Sequence, residues 1–258
     1  MNLSIKQLIY FSLLFWILNT LWSIYAIVPN VDDPFYFMPS LGFAHLNKLA
    51  FHINDYEYYD FSKFPTFPFL HGIFIKLLLF LDIPLNFYTY RLFPFINFFL
   101  LIFITFKFIG LLEVNKKEKN FKKLLFLILI SITPFSMLYM SNRPEVLGLF
   151  FLITGIFFYL KSRKTYFNKN INLFLAGTFL SLSITTHPIF LFLIFFLISF
   201  IFIKNFKFKF ISYFILGFFI PITFFLFFYY RYFPFSTDQL FMISSGFPYF
   251  GYFFSHIK

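Results

Sequence analysis

From residue 171 to 203 the chain is nearly all apolar, about 33 residues broken only by Thr185-Thr186-His187-Pro188 near the middle. As a single helix rising ~1.5 Å per residue, this stretch would reach ~50 Å, far beyond the ~30 Å of a bilayer's hydrocarbon core. Divided at the His-Pro break, it gives two segments that each approach spanning length. Comparable runs occupy residues 8–28, 92–112, 124–140, 146–160 and 210–230. The pattern predicts an all-α membrane protein of about seven transmembrane helices. Composition agrees: 60% of residues are hydrophobic and 12% charged, with mean hydropathy +0.81, where a soluble domain carries ~25% charge. No polar stretch is long enough for a separate soluble domain, so residues 1–258 read as one membrane domain.

The formal net charge of +11 raises the possibility of nucleic-acid binding, but its distribution excludes that class. The basic residues sit in short clusters between apolar runs rather than on one continuous face. Three such clusters are Lys116, Lys117, Lys119, Lys122 and Lys123; Lys161, Arg163, Lys164 and Lys169; and Lys204, Lys207 and Lys209. The chain has no cysteine, which excludes disulfides and thiolate metal sites. Residues 8–28 follow Lys6 but are too long for a signal-peptide core and lack a small-residue cleavage site, so they read as an uncleaved first span.

Orientation turns on residues 66–81, an apolar piece interrupted by Pro68, His71 and Lys76. If it stays on one surface, all three basic clusters fall on the side of Lys6, and eight of the ten acidic residues fall opposite. The excess of Lys and Arg on cytoplasmic loops prefers this arrangement. It gives a multi-pass protein of the plasma (inner) membrane with a cytoplasmic N-terminus. Residues 29–91 then form an outer loop with amphipathic surface helices, and residues 231–258 an outer tail.

One face then collects the chemically unusual residues: Asp32, Asp33, Lys63, His71, Arg143, Glu145, His187 and Arg231. Asp33 before Pro34 suits a helix start, with proline in the first turn and the carboxylate favoured by the helix dipole. The second aspartate is open to another role, since a carboxylate at the surface can take a proton from an attacking hydroxyl. Pro144-Glu145 likewise suits a helix start, while Arg143 has the fork geometry that binds phosphate. His187 reads either as a turn residue or as a ligand. His71 and Lys76 flank an amphipathic stretch and are expected to reach head groups. Asp32 and Glu145 are possible ligands of a divalent cation, though no metal motif is present.

Asp32-Asp33-Pro34-Phe35-Tyr36 after the first span resembles the acid pair and aromatics of integral-membrane glycosyltransferases of the GT-C type, among them the protein O-mannosyltransferases and the lipid A aminoarabinose transferase. Lys63-Phe64-Pro65-Thr66-Phe67-Pro68-Phe69 is similar to their Lys-Pro-Pro-aromatic segment, and Arg91-Leu92 to the Arg that opens the next span. Asn142-Arg143-Pro144-Glu145 and Thr186-His187-Pro188 resemble further outer-face elements. Asp33 stands where Glu is common, and Thr186 where Lys is frequent. The resemblance implies transfer of a sugar from a polyprenyl-phosphate donor to an acceptor hydroxyl, with inversion. Asp32 would be the base, and Arg143 with Lys63 or His187 would meet the departing lipid phosphate. Members of that superfamily are longer, so the chain is expected to be a minimal core or an incomplete sequence. The competing classes are a lipid or sugar transporter (flippase) and a non-catalytic membrane subunit. A transporter is expected to place polar groups near the midplane and to show internal repeats, whereas here the polar groups lie at span ends.

Overall fold

The computed structural model describes residues 4–26, 33–47, 51–53, 56–58, 65–132, 144–164, 168–187, 189–204 and 208–232. These residues form a mainly helical protein. In chain order they give α1 (Ile5–Ala26), α2 (Asp33–Leu46), a two-stranded antiparallel ribbon β1 (Phe51–Ile53) and β2 (Tyr56–Tyr58), then α3 (Thr66–Phe80) and α4 (Phe87–Leu112). There follow α5 (Lys116–Ile132), α6 (Glu145–Lys164), α7 (Lys169–Thr186), α8 (Ile189–Lys204) and α9 (Phe208–Tyr232). Among the described residues two helices, Tyr88–Leu112 and Glu145–Lys164, are long and apolar enough, by length and composition, to cross a membrane. Ile5–Leu18, Thr66–Phe80, Ile189–Ser199 and Ile211–Phe227 are shorter apolar stretches.

Local chemistry explains the helix ends and corrects several expected ones. α4 begins at Phe87, five residues before the apolar run at 92–112. The Asn86 side chain accepts from the backbone N–H groups of Tyr88 and Thr89 at 3.0 Å, while Thr89 Oγ1 accepts from the Asn86 N–H at 2.9 Å. This reciprocal cap satisfies donors that a helix start leaves orphaned. The lysine cluster 116–123 is not a loop but the first two turns of α5, since lysine is a good helix former. The first surface helix expected in the outer loop is α2, which ends at Leu46. Asn47 follows it in the left-handed region at φ 57, which Asn tolerates, and Phe51 pairs with Tyr58 in the ribbon. The expected break near His187 is present: α7 ends at Thr186 and α8 starts at Ile189.

Three buried clusters tie the helices together. Ile9 and Trp16 of α1 meet Phe98, Leu101 and Ile102 of α4 and Leu127 of α5. Tyr159 of α6, Leu173 and Leu180 of α7, Ile194 of α8 and Phe214 of α9 form a second. Phe67 of α3, Phe93 of α4, and Leu147 and Phe151 of α6 form a third. The α7–α9 seam is a backbone approach. A Cβ added at Gly177 would stand 2.1 Å from the Phe214 carbonyl oxygen, and one at Gly217 would stand 2.1 Å from that of Phe174. Only glycine at these two positions lets the helix axes come so near.

Polar residues are buried among these apolar clusters, and large apolar side chains are exposed. Wholly or nearly buried positions include Ser40, Thr66, His71, Arg91, Ser181, Ser183 and Thr186. The exposed positions include Phe15 and Phe192, both 68% exposed, and Leu226 and Phe227, both 65% exposed. Contiguous apolar surface on this scale requires a cover.

Candidate functional site

Contacts between helix ends sort the bundle into two ends. Lys164, in the last turn of α6, donates to the Leu111 carbonyl in the last turn of α4, so these C-termini lie together and their N-termini share the opposite, upper end. Ser183 Oγ donates to the Gly148 carbonyl at 2.8 Å, which joins the last turn of α7 to the first turn of α6 there. The C-terminal half of α9 reaches the same end, because Phe69 of α3 meets Phe224 and Phe225 at ring-centroid distances of 5.6 and 5.7 Å.

α3 is anchored at this upper end. Its first residue, Thr66, donates to Thr185 Oγ1 of α7 at 2.7 Å. Two turns later, Phe74 packs on Phe93 of α4 at 5.6 Å. Phe67 between them touches the α6 face at Leu147 and Phe151. The first turns of α3 are thus tied to this end of the bundle, the six residues 81–86 lead from it to Asn86, the cap of α4, and its 15 residues make a helix of only ~22 Å.

The structure brings α2, α6, α7 and α9, which carry Asp33, Glu145, His187 and Arg231, to this end. Glu145 opens α6 one turn before Gly148, and His187 ends α7 one turn after Ser183, so both stand at the Ser183–Gly148 joint. His187 Nδ1 accepts from the Ile189 N–H at 3.3 Å and thereby guides the chain into α8. Asp33 is the first helical residue of α2 instead of the residue before it, one turn from Phe37. Phe37 in turn meets the Tyr90 ring at a centroid distance of 3.9 Å. Arg231 lies in the last two turns of α9. Asp32, Lys63 and Arg143 lie outside the described residues, as do the side chains of Asp33 and Arg231.

His71 overturns the reading of a residue reaching head groups. It is 0% exposed, stacked on Phe93 at 4.8 Å and 15°, with Phe37, Phe67 and Phe74 around it. Burial lowers its pKa to about 3, opposed by the Tyr90 main chain, so the ring is neutral at ordinary pH. Gly72 is the reason for the burial: a Cβ there would lie 2.7 Å from the Phe43 ring, so its absence lets α2 close over α3. Lys76 does not extend outward either. It donates to Asn47 Oδ1 and lies 4.5 Å from the Phe43 ring centre, which holds it against α2.

Arg91 is a site residue that sequence reasoning left out of the candidate set. It is 1% exposed and is engaged by interactions within the protein. A charge so buried is costly to hold unless it is compensated. The Asn86–Thr89 cap was the available signal, since it sets Arg91 inside a helix rather than at its mouth. Thr66 and Thr185, both buried, were likewise missed. Among the described residues no group of three His, Asp or Glu side chains could hold a metal ion; Glu145 belongs to these residues and Asp32 does not.

No protein-family model matches the chain, and neither the curated proteins nor the solved structures yield a match.

Proposed function

We propose that the chain is a multi-pass membrane glycosyltransferase of GT-C character, with seven spans, a cytoplasmic N-terminus and its reaction centre at the upper, outer end. The donor is a polyprenyl-phosphate-linked sugar and the acceptor a hydroxyl. The observation that supports this reading is the shared location of helix ends. The starts of α4 and α6, the ends of α7 and α9 and the start of α2 gather at one end of the bundle, the end at which Arg91 is buried in the first turns of α4. Three helix N-termini, those of α2, α4 and α6, turn their positive ends toward this region against the negative ends of α7 and α9, and an anionic group is favoured beside the N-termini. The apolar exterior suits acyl chains and leaves room for a polyprenyl tail beside the bundle.

In this reading Asp32 takes the proton of the acceptor hydroxyl. The acceptor oxygen bonds to the anomeric carbon as the bond from that carbon to the lipid phosphate oxygen breaks, which inverts the configuration. Charge then grows on the departing phosphate. Arg143 with Lys63 or His187 meets it, an electrostatic stabilisation that acts where charge develops. Asp33 orders the first turn of α2. The transporter reading has less support. Thr154, Thr178 and Thr186 bond back to carbonyls of their own helices at 2.7, 3.0 and 2.6 Å rather than lining a path.

The test is sugar transfer from a polyprenyl-phosphate donor in native membranes, with Asp32→Asn and Asp33→Asn compared at equal expression. Loss of transfer at Asp32, with a smaller effect at Asp33, is the expected result. Full transfer by Asp32→Asn would remove the proposed base and the reading with it.

A further inference from the structure

The lower end of the bundle carries a second charged feature that sugar transfer does not use. Lys119 of α5 lies against Gly110 of α4, where a Cβ would be 3.1 Å from its Cε and 3.5 Å from its Nζ. Lys123, one turn further along α5, has its Nζ 5.1 Å from the Phe106 ring centre of α4. Lys107, next to Phe106 in sequence, has its Nζ 5.3 Å from the Phe103 ring centre. Three ammonium groups from two helices thus converge on one strip of α4. The nearby acid Glu113 is already taken by Lys122, and the hydrogen bond from Lys122 is the main cause that holds its carboxyl below the usual range. Glu118 is the other acid in this part of α5 and faces Asn115 at 3.4 Å. Lys164 is likewise occupied, on the Leu111 carbonyl.

The position of this strip identifies its ligand. Phe103 and Leu125 are exposed apolar surface beside it, and exposed Val114 and the polar start of α5 lie below. The ammonium groups of Lys107 and Lys123 seated on phenylalanine rings beside such a boundary are held there by cation–π attraction. We propose that Lys107, Lys119 and Lys123 form a binding site for the phosphate of an anionic phospholipid in the cytoplasmic leaflet, with the acyl chains against the Phe103 face of α4. The site rests on the bilayer reading but not on sugar transfer. Like charges held this close repel one another, and a shared phosphate relieves that repulsion. The lowered pKa of Lys123, caused first by burial and then by Lys119 and Lys107, reports the same crowding.

The experiment uses the full chain purified in a neutral detergent and titrated with phosphatidylglycerol, with phosphatidylcholine or with inorganic phosphate. Retained lipid is counted by native mass spectrometry, and the melting temperature is followed in parallel. The proposal expects phosphatidylglycerol to bind and to raise the melting temperature, with little effect of phosphatidylcholine. Lys107→Gln/Lys123→Gln should weaken that binding about tenfold or more. Lys107→Arg/Lys123→Arg should restore it, and Lys116→Gln/Lys117→Gln, which removes the same charge from the exposed start of α5, should leave it unchanged. Equal loss in the Lys116/Lys117 variant would show diffuse attraction instead of a site. An equal effect of inorganic phosphate would show a free-anion site, and equal retention of phosphatidylcholine would show solvation alone. Each of these three results overturns the proposal.

Discussion

Alanine at position 177 adds one carbon where α7 crosses α9, 2.1 Å from the Phe214 carbonyl oxygen and 2.8 Å from the Phe218 nitrogen. Both neighbours are backbone, so no rotamer change relieves the clash. Ordinary contact begins near 3.4 Å; to reach it, the helices must part by roughly 1.3 Å, and a gap of ~0.5–1 Å already forfeits a quarter to a half of each dispersion contact along a seam. Overpacking of this kind costs ~1–3 kcal/mol, and a backbone obstacle belongs at the upper end. Alanine returns up to ~1 kcal/mol through its better helix propensity, which leaves an expected net loss of about 2 kcal/mol. The control is Gly110→Ala, whose new carbon meets only the Lys119 side chain, at 3.1 Å. That chain end can swing aside, so the variant should match the wild type or gain up to ~1 kcal/mol. Reversible unfolding in mixed micelles, followed by circular dichroism, reads both. Wild-type stability in Gly177→Ala, or equal losses in the two variants, would refute the claim that α7 and α9 are locked backbone to backbone.

Three further outcomes are expected. Thr66→Val and Thr185→Val each remove one side of a buried 2.7 Å hydrogen bond and should cost about 1 kcal/mol; the double variant should lose less than the two together, as a double-mutant cycle of unfolding free energies will show. His71 is neutral when folded, with its pKa at about 3, and protonates near 6.5 when unfolded. The unfolded state therefore binds the extra proton, and His71 makes stability fall as pH drops from about 6.5 toward 3, with its contribution complete above that window. The melting temperature of the wild type should fall relative to that of His71→Phe as pH drops across that range if the reasoning holds, and the two curves should stay parallel if it does not. Gly72→Leu should drive α2 off α3, because the added side chain starts 2.7 Å from the Phe43 ring; faster proteolysis within residues 27–64 is the readout, and unchanged cleavage would count against the packing described.

The sequence made the helical class legible because apolar runs of spanning length leave little other choice for the backbone, and His187-Pro188 marked the one helix break inside the longest run. What it did not disclose depended on side chains meeting across helices. Lys116–Lys123 read as a loop because charge was taken as a sign of the aqueous side; Lys119 and Lys123 instead lie against Gly110 and Phe106 of α4, and the helix includes the whole cluster. His71 looked like a surface residue within its own segment, and only the approach of α2 at Gly72 and the Phe93 stack bury it. Arg91 was visible as a motif residue, yet its burial follows from the cover that α2 and α3 give the first turns of α4. The sequence suggested a shared end for Glu145 and His187, and the Ser183–Gly148 hydrogen bond that joins their helices could not be read from it.

The most direct test of two opposed ends uses the chain's lack of cysteine. Single cysteines at the exposed positions Asn86 and Ile189, and at exposed Val114 and Arg163, can be labelled in intact cells with a membrane-impermeant maleimide. Asn86→Cys and Ile189→Cys should label from outside, while Val114→Cys and Arg163→Cys should label only after the membrane is opened. Labelling of Asn86→Cys and Val114→Cys from the same side would contradict the assignment of the upper end to the outer face.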